Sequence, residues 1–148
     1  MKKIYLLIAF VLSTVTYSQN TTYNIQDGYI ANGYDVVSYF NNEANKGNDE
    51  YTFTYDNVNF KFSNEANLNL FKSTPEKYIP QYGGWCAYAI ALKNKKVEIN
   101  PKTFEVRGGK LYLFYNSKLI NTYKKWLAKN PKLLITKANV NWDTILMK

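Results

Sequence analysis

The chain has no histidine, and Cys86 is its only cysteine. These two scarcities exclude an intramolecular disulfide, a Cys/His zinc site, a histidine-bound haem and any Ser-His or Cys-His nucleophile. After the short N-terminal apolar run, no other run is long enough to cross a bilayer either. No helix-turn-helix or RNA-binding signature accompanies the basic charge, so nucleic acid is not an expected partner. Acids are scarce in the second half: from Lys77 onward 14 basic residues stand against three acidic ones, whereas three lysines face eight acids between Gln19 and Glu76. That asymmetry fits a solvated surface with attraction between the halves, or a lysine face that touches an anionic envelope surface. The acids, Asp49-Glu50 among them, show none of the paired spacing of a glycosidase.

What is present begins with an export signal. Lys2-Lys3 precedes the apolar stretch Ile4 to Leu12, and Thr16 and Ser18 supply small residues before Gln19. A positive start, a short apolar centre and a small-residue exit form a cleavable signal peptide. The stretch falls well short of the ~20 residues of a membrane span. The expected organisation is a signal peptide over 1–18, a loose polar tail over 19–27 and one domain over 28–148. The mature form is expected in the periplasm or outside the cell and does not span a membrane. With no disulfide to staple it, the domain must rely on packing, and its 21 aromatic residues, of 25 in the whole chain, make that feasible.

Within the domain, Tyr51 to Tyr55 alternates between aromatic residues and threonine, and Val58 to Phe62 alternates again after Asp56-Asn57. This predicts a hairpin. Ser63 is placed to cap a helix over Asn64 to Lys72, with Ala66, Leu70 and Phe71 inward. Pro75 opens a further helical turn. Gly83-Gly84 allows a close backbone approach or a sharp turn. Cys86 to Leu92 alternates like a strand, but its alanines favour a helix, which is the reading preferred. Phe104 to Val106, Gly108-Gly109 and Leu111 to Tyr115 predict a second hairpin. Leu119, Ile120, Tyr123, Trp126 and Leu127 recur at helical spacing behind a cap at Asn116 or Ser117. Pro131 opens a last helix towards Trp142. The fold class expected is α+β, a small single domain of β-hairpins and short helices.

Several of these segments resemble a known family. Phe62-Ser63-Asn64-Glu65-Ala66-Asn67, then Phe71, then Pro75-Glu76-Lys77-Tyr78, has the spacing of the YHS domain. Gly33 to Phe40 is similar to its opening segment. Pro80 to Tyr88 and Gly109 to Leu113 are similar to exported bacterial YHS-domain proteins. The resemblance implies a YHS-like fold and a binding role. Metal-associated YHS domains carry three cysteines, and the matching positions here are Ser38, Ser63 and Asn67. Neutral, hard side chains replace the soft thiolates, so the resemblance arrives without its metal donors.

The candidate ligand-binding residues are Asp35, Tyr82, Cys86, Tyr34 and Trp85. Cys86 is either a thiolate nucleophile or copper ligand, or a small buried apolar residue, and the latter is preferred for lack of a neighbouring base. Asp35 either holds a hard cation weakly or caps a turn, and again the second is preferred. No tight metal site is expected, Cys86 and Asp35 being the only weak candidates, and no cofactor or catalytic residue is assigned. Tyrosines beside the glycines could line a pocket for a small planar or sugar-like ligand. The reading adopted is an extracytoplasmic, non-catalytic binding module of YHS type whose ligand is unknown, a metal or a small molecule. The alternatives are a thiol-dependent redox protein or enzyme using Cys86, and an envelope interaction protein with a lysine-rich face.

Overall fold

The structure, a computed structural model, describes residues 22–148. The expected signal peptide, its expected cleavage site and residues 19–21 lie outside the described residues. The rest is an α+β domain in which three separate antiparallel hairpins alternate with helices. Strands β1 (Ile25–Gln26) and β2 (Tyr29–Ile30) form the first hairpin, and β3 (Asn48–Tyr55) and β4 (Val58–Phe62) the second. Helices α1 (Glu65–Ser73), α2 (Pro75–Tyr78) and α3 (Ala87–Lys93) follow. The third hairpin pairs β5 (Phe104–Arg107) with β6 (Lys110–Leu113), and α4 (Thr122–Ala128) and α5 (Pro131–Leu146) close the chain.

All three hairpins turn through two residues with positive φ: Asp27-Gly28, Asp56-Asn57 and Gly108-Gly109. Left-handed residues at both turn positions match the twist of the flanking strands, and Asp, Asn and Gly adopt that conformation at least cost. Residues 22–27 are packed rather than a loose tail. Ile25 and Gln26 pair with Ile30 and Tyr29, and Asn24 is buried and bonded to the carbonyls of Gly83 and Gly84.

Two aromatic cores lie side by side. In the first, Phe71 of α1 meets the rings of Phe53, Tyr55, Phe60, Phe62 and Tyr78. In the second, Tyr112 and Phe114 contact Trp126, and Tyr82 lies against Tyr112 and Trp142. The period of strand β6 divides them, because Leu111 and Leu113 enter the first core while Tyr112 and Phe114 enter the second. Helix α3 is shared likewise, with Cys86 and Ala89 on one side and Ala87, Ile90 and Ala91 on the other. Its alanines permit close packing on α5, where Asn141 donates to the carbonyls of Ile90 and Ala91.

Three local expectations need correction. Asn64, not Ser63, caps α1, its side chain accepting the Asn67 N–H. Leu68 and Phe71 point inward on that helix, while Ala66 and Leu70 are exposed. The helix expected from residue 118 begins only at Thr122, capped by Asn121; Leu119 and Ile120 sit in an exposed loop instead. That loop is closed by a bridge between Asn116 and Asn121 and by Ser117 bonds to Ile120, a local alternative to a helical turn.

Candidate functional site

Ser63 and Asn67 bond to the Asp35 carboxylate through their side chains, and Ser38 bonds to it through its backbone N–H. Asp35 is fully buried at the entry to the 3-10 turn Ser38–Asn41. Its Oδ1 accepts the N–H groups of Val37 at 2.9 Å and Ser38 at 3.3 Å. Oδ2 accepts three more donors: the Ser63 N–H at 2.8 Å, the Ser63 hydroxyl at 2.7 Å and the Asn67 amide at 2.7 Å. The Ser38 hydroxyl lies against the carbonyls of Asp35 and Glu43. Asp35 therefore caps its own turn and also ties that turn to β4 and α1. Five donors occupy both oxygens, so a cation there would face N–H and O–H hydrogens instead of lone pairs. Among the described residues no group of three or more His, Cys, Asp or Glu could hold a metal ion.

Cys86 is sealed in the seam between the two cores. Its Sγ accepts the Tyr115 N–H at 3.3 Å and lies 3.4 Å from the Thr122 hydroxyl, which itself donates to the Tyr115 carbonyl at 2.7 Å. No basic or acidic side chain bonds to the sulfur, and no approach to it is open. Nothing in this environment makes the thiol a nucleophile.

Tyr82 takes a left-handed conformation in the turn Gln81–Gly84, followed by Gly83 at φ +59° and Gly84 at φ +81°. A Cβ on Gly83 would collide with the Thr22 carbonyl oxygen, so the close backbone approach is real at that position. The Tyr82 ring is buried and its hydroxyl donates to Asn139 at 2.9 Å. Burial pushes its pKa up, with Tyr112 adding to the shift.

Asp35, Cys86 and Tyr82 share no hydrogen-bond partner, and the structure does not gather them into one open site. Tyr34 is half-buried and pairs with Lys46, and Trp85 donates its indole N–H to the Thr22 carbonyl at 3.1 Å. Of the five, Tyr82 lines an open groove among the described residues. That groove, about 520 Å³, runs between the Gln81–Gly84 turn and α5, and its walls include Tyr23, Tyr82, Trp142, Glu76, Asp143 and Lys110. Tyr82 and Trp142 meet edge-on with centroids 6.2 Å apart. Tyr23 donates to Asp56 at 2.9 Å, and its ionisation is pushed up to about 12 by burial and by that bond. The Glu76 carboxyl is held below its usual range by the bond it accepts from Tyr55.

Sequence reasoning missed most of this groove. Asn139, Trp142, Asp143 and Leu146 follow helical spacing along α5, which is a detectable signal. Tyr23, just before β1, and Lys110, at the start of β6, reach the groove from distant parts of the chain, and no local pattern announces that.

No protein-family model matches the chain, and neither does any curated protein or solved structure.

Proposed function

We propose that this chain is an extracytoplasmic, non-catalytic binding module of YHS type whose ligand is a small, sugar-like molecule held in the groove beside Tyr82. One observation carries the reading. Of the positions that the family resemblance assigns to metal-binding thiolates, Ser63 and Asn67 bond to Asp35 Oδ2 through their side chains, and Ser38 bonds to Oδ1 through its backbone N–H alone. Ser63 and Asn67 reach Asp35 across 28 and 32 residues of sequence, an arrangement that the YHS-type reading accommodates. Saturation of Asp35 and burial of Cys86 leave neither the cluster nor the thiol free for chemistry.

The groove has the composition a polyhydroxylated ligand needs. Tyr23, Trp142, Ile79 and Pro80 offer apolar faces for C–H surfaces, while Glu76, Asp143 and Lys110 offer charged hydrogen-bond partners of both signs. Mixed charge favours a neutral ligand over an ion. The redox alternative is disfavoured by the sealed sulfur. Thermal-shift screening with mono- and oligosaccharides, and with planar aromatic compounds as the comparison set, tests the reading. A saccharide should raise the melting temperature of the wild type but not of Trp142→Ala. Stabilisation by planar aromatics alone, or equal stabilisation of both proteins, would refute the sugar-like ligand or its location.

A further inference from the structure

The loop between β6 and α4 carries two large aliphatic side chains in water. Leu119 is 95% exposed and Ile120 is 42% exposed. This exposure belongs to a shaped turn and not to a frayed end. The Ser117 N–H donates to the Ile120 carbonyl at 2.8 Å, the Ile120 N–H donates to Ser117 Oγ at 3.2 Å, and the Thr122 N–H closes onto Tyr115 at 3.0 Å. Lys118, Lys124 and Lys125 surround the two side chains and line one shallow concavity with them, about 440 Å³ in volume. The described ion pairs are Lys61 with Asp49 and Arg107 with Glu105, so none of these three ammonium groups has an acidic partner among the described residues. The wider setting is equally one-sided. Between Glu105 and Asp143 the sequence has eight basic residues and no acid.

We propose that this loop docks on an anionic lipid bilayer, with Leu119 and Ile120 entering the interface and Lys118, Lys124 and Lys125 meeting lipid phosphates. Interfacial binding strengthens with buried apolar area and with attraction to anionic headgroups, and this tip supplies both in one place. A soluble anionic polysaccharide would satisfy the lysines but offers no hydrocarbon for the Leu119–Ile120 pair. A second copy of the chain would cover the aliphatic tip but would bring lysine against lysine. The bilayer is the occupant that answers both features. The proposal does not rest on the groove, which lies on other elements.

The test uses the protein as isolated from the cells that make it, mixed with vesicles of phosphatidylcholine alone or blended with phosphatidylglycerol. Binding should appear only with the anionic vesicles and weaken as salt rises. Lys118→Gln, Lys124→Gln and Lys125→Gln should each lower the partition coefficient about fivefold. The double change Leu119→Ser with Ile120→Ser should lower it at least as much with no change in circular dichroism. Leu119→Trp adds an independent readout, because an inserted indole should shift its emission to the blue with anionic vesicles. Three results would overturn the proposal: vesicle binding indifferent to Leu119 and Ile120, equal binding to dextran sulfate with the same lysine dependence, or a lipid-free dimer that the serine changes dissociate.

Discussion

Ser63 gives Asp35 both its backbone N–H and its hydroxyl, at 2.8 and 2.7 Å, across 28 residues of sequence. That contact joins the turn at the start of the domain to the end of β4, and it frees Asn64 to cap α1. The cluster is expected to act as a structural clasp. Asp35→Asn would leave buried N–H and O–H donors facing an amide that cannot accept them all, and it should cost about 3 kcal/mol or more. Ser63→Ala removes one hydroxyl bond to the carboxylate and should cost about 1.5–3 kcal/mol. Urea unfolding measures both, and a loss under ~1 kcal/mol for Asp35→Asn would contradict the clasp.

Cys86 should behave as a packed residue. In the folded protein it should react slowly with an aromatic disulfide reagent, and after denaturation it should react at the rate of a free thiol. Cys86→Ser should leave the fold intact at a cost of about 1–2 kcal/mol, since a serine hydroxyl can still meet Tyr115 and Thr122. Complete labelling of the native protein within seconds would identify a reactive thiolate instead.

The hairpins could be read directly from the sequence. Alternation over Tyr51–Tyr55 and Val58–Phe62 names the faces, and Asp56-Asn57 can only be a turn between them. The fold class followed from that. Helix α3 was legible through its alanines despite an alternating pattern. The loop at Leu119 was not legible, because spacing alone cannot tell an apolar residue in the core from one in water. Asp35 was legible as a turn cap, through the N–H groups of Val37 and Ser38. Its bonds to Ser63 and Asn67 span 28 and 32 residues, and such contacts leave no local trace. The same limit hid Tyr23 and Lys110 from the groove.

Glycine substitutions should separate conformational from steric demand. Gly108 has φ +57° and open space where a Cβ would stand, so Gly108→Ala should cost about 1–2 kcal/mol from backbone strain alone. Gly83 has a similar φ and the Thr22 backbone against it, so Gly83→Ala should cost clearly more and should loosen residues 22–24. Comparable losses for the two variants would show that the Thr22 approach matters little.

Alkaline pH should destabilise the fold through its tyrosines. Burial raises the pKa of Tyr39 and Tyr82, and that of Tyr23 is pushed up to about 12. Below pH ~10 these groups are protonated in both states and cost nothing. Above it the unfolded chain loses protons that the folded one keeps, so stability falls as pH rises towards 12. Tyrosinate absorbance should rise in two steps, the exposed rings first and the buried ones together with unfolding. A single step near the ordinary tyrosine value, with the fold retained, would contradict the burial.

Native mass spectrometry of the protein isolated from the cells that make it tests the binding-module reading most directly. The expected spectrum shows the folded chain carrying a small organic ligand, lost in Trp142→Ala and retained in Cys86→Ser, with no stoichiometric metal. A stoichiometric copper or zinc ion that disappears on changing Cys86 or Asp35 would contradict the account.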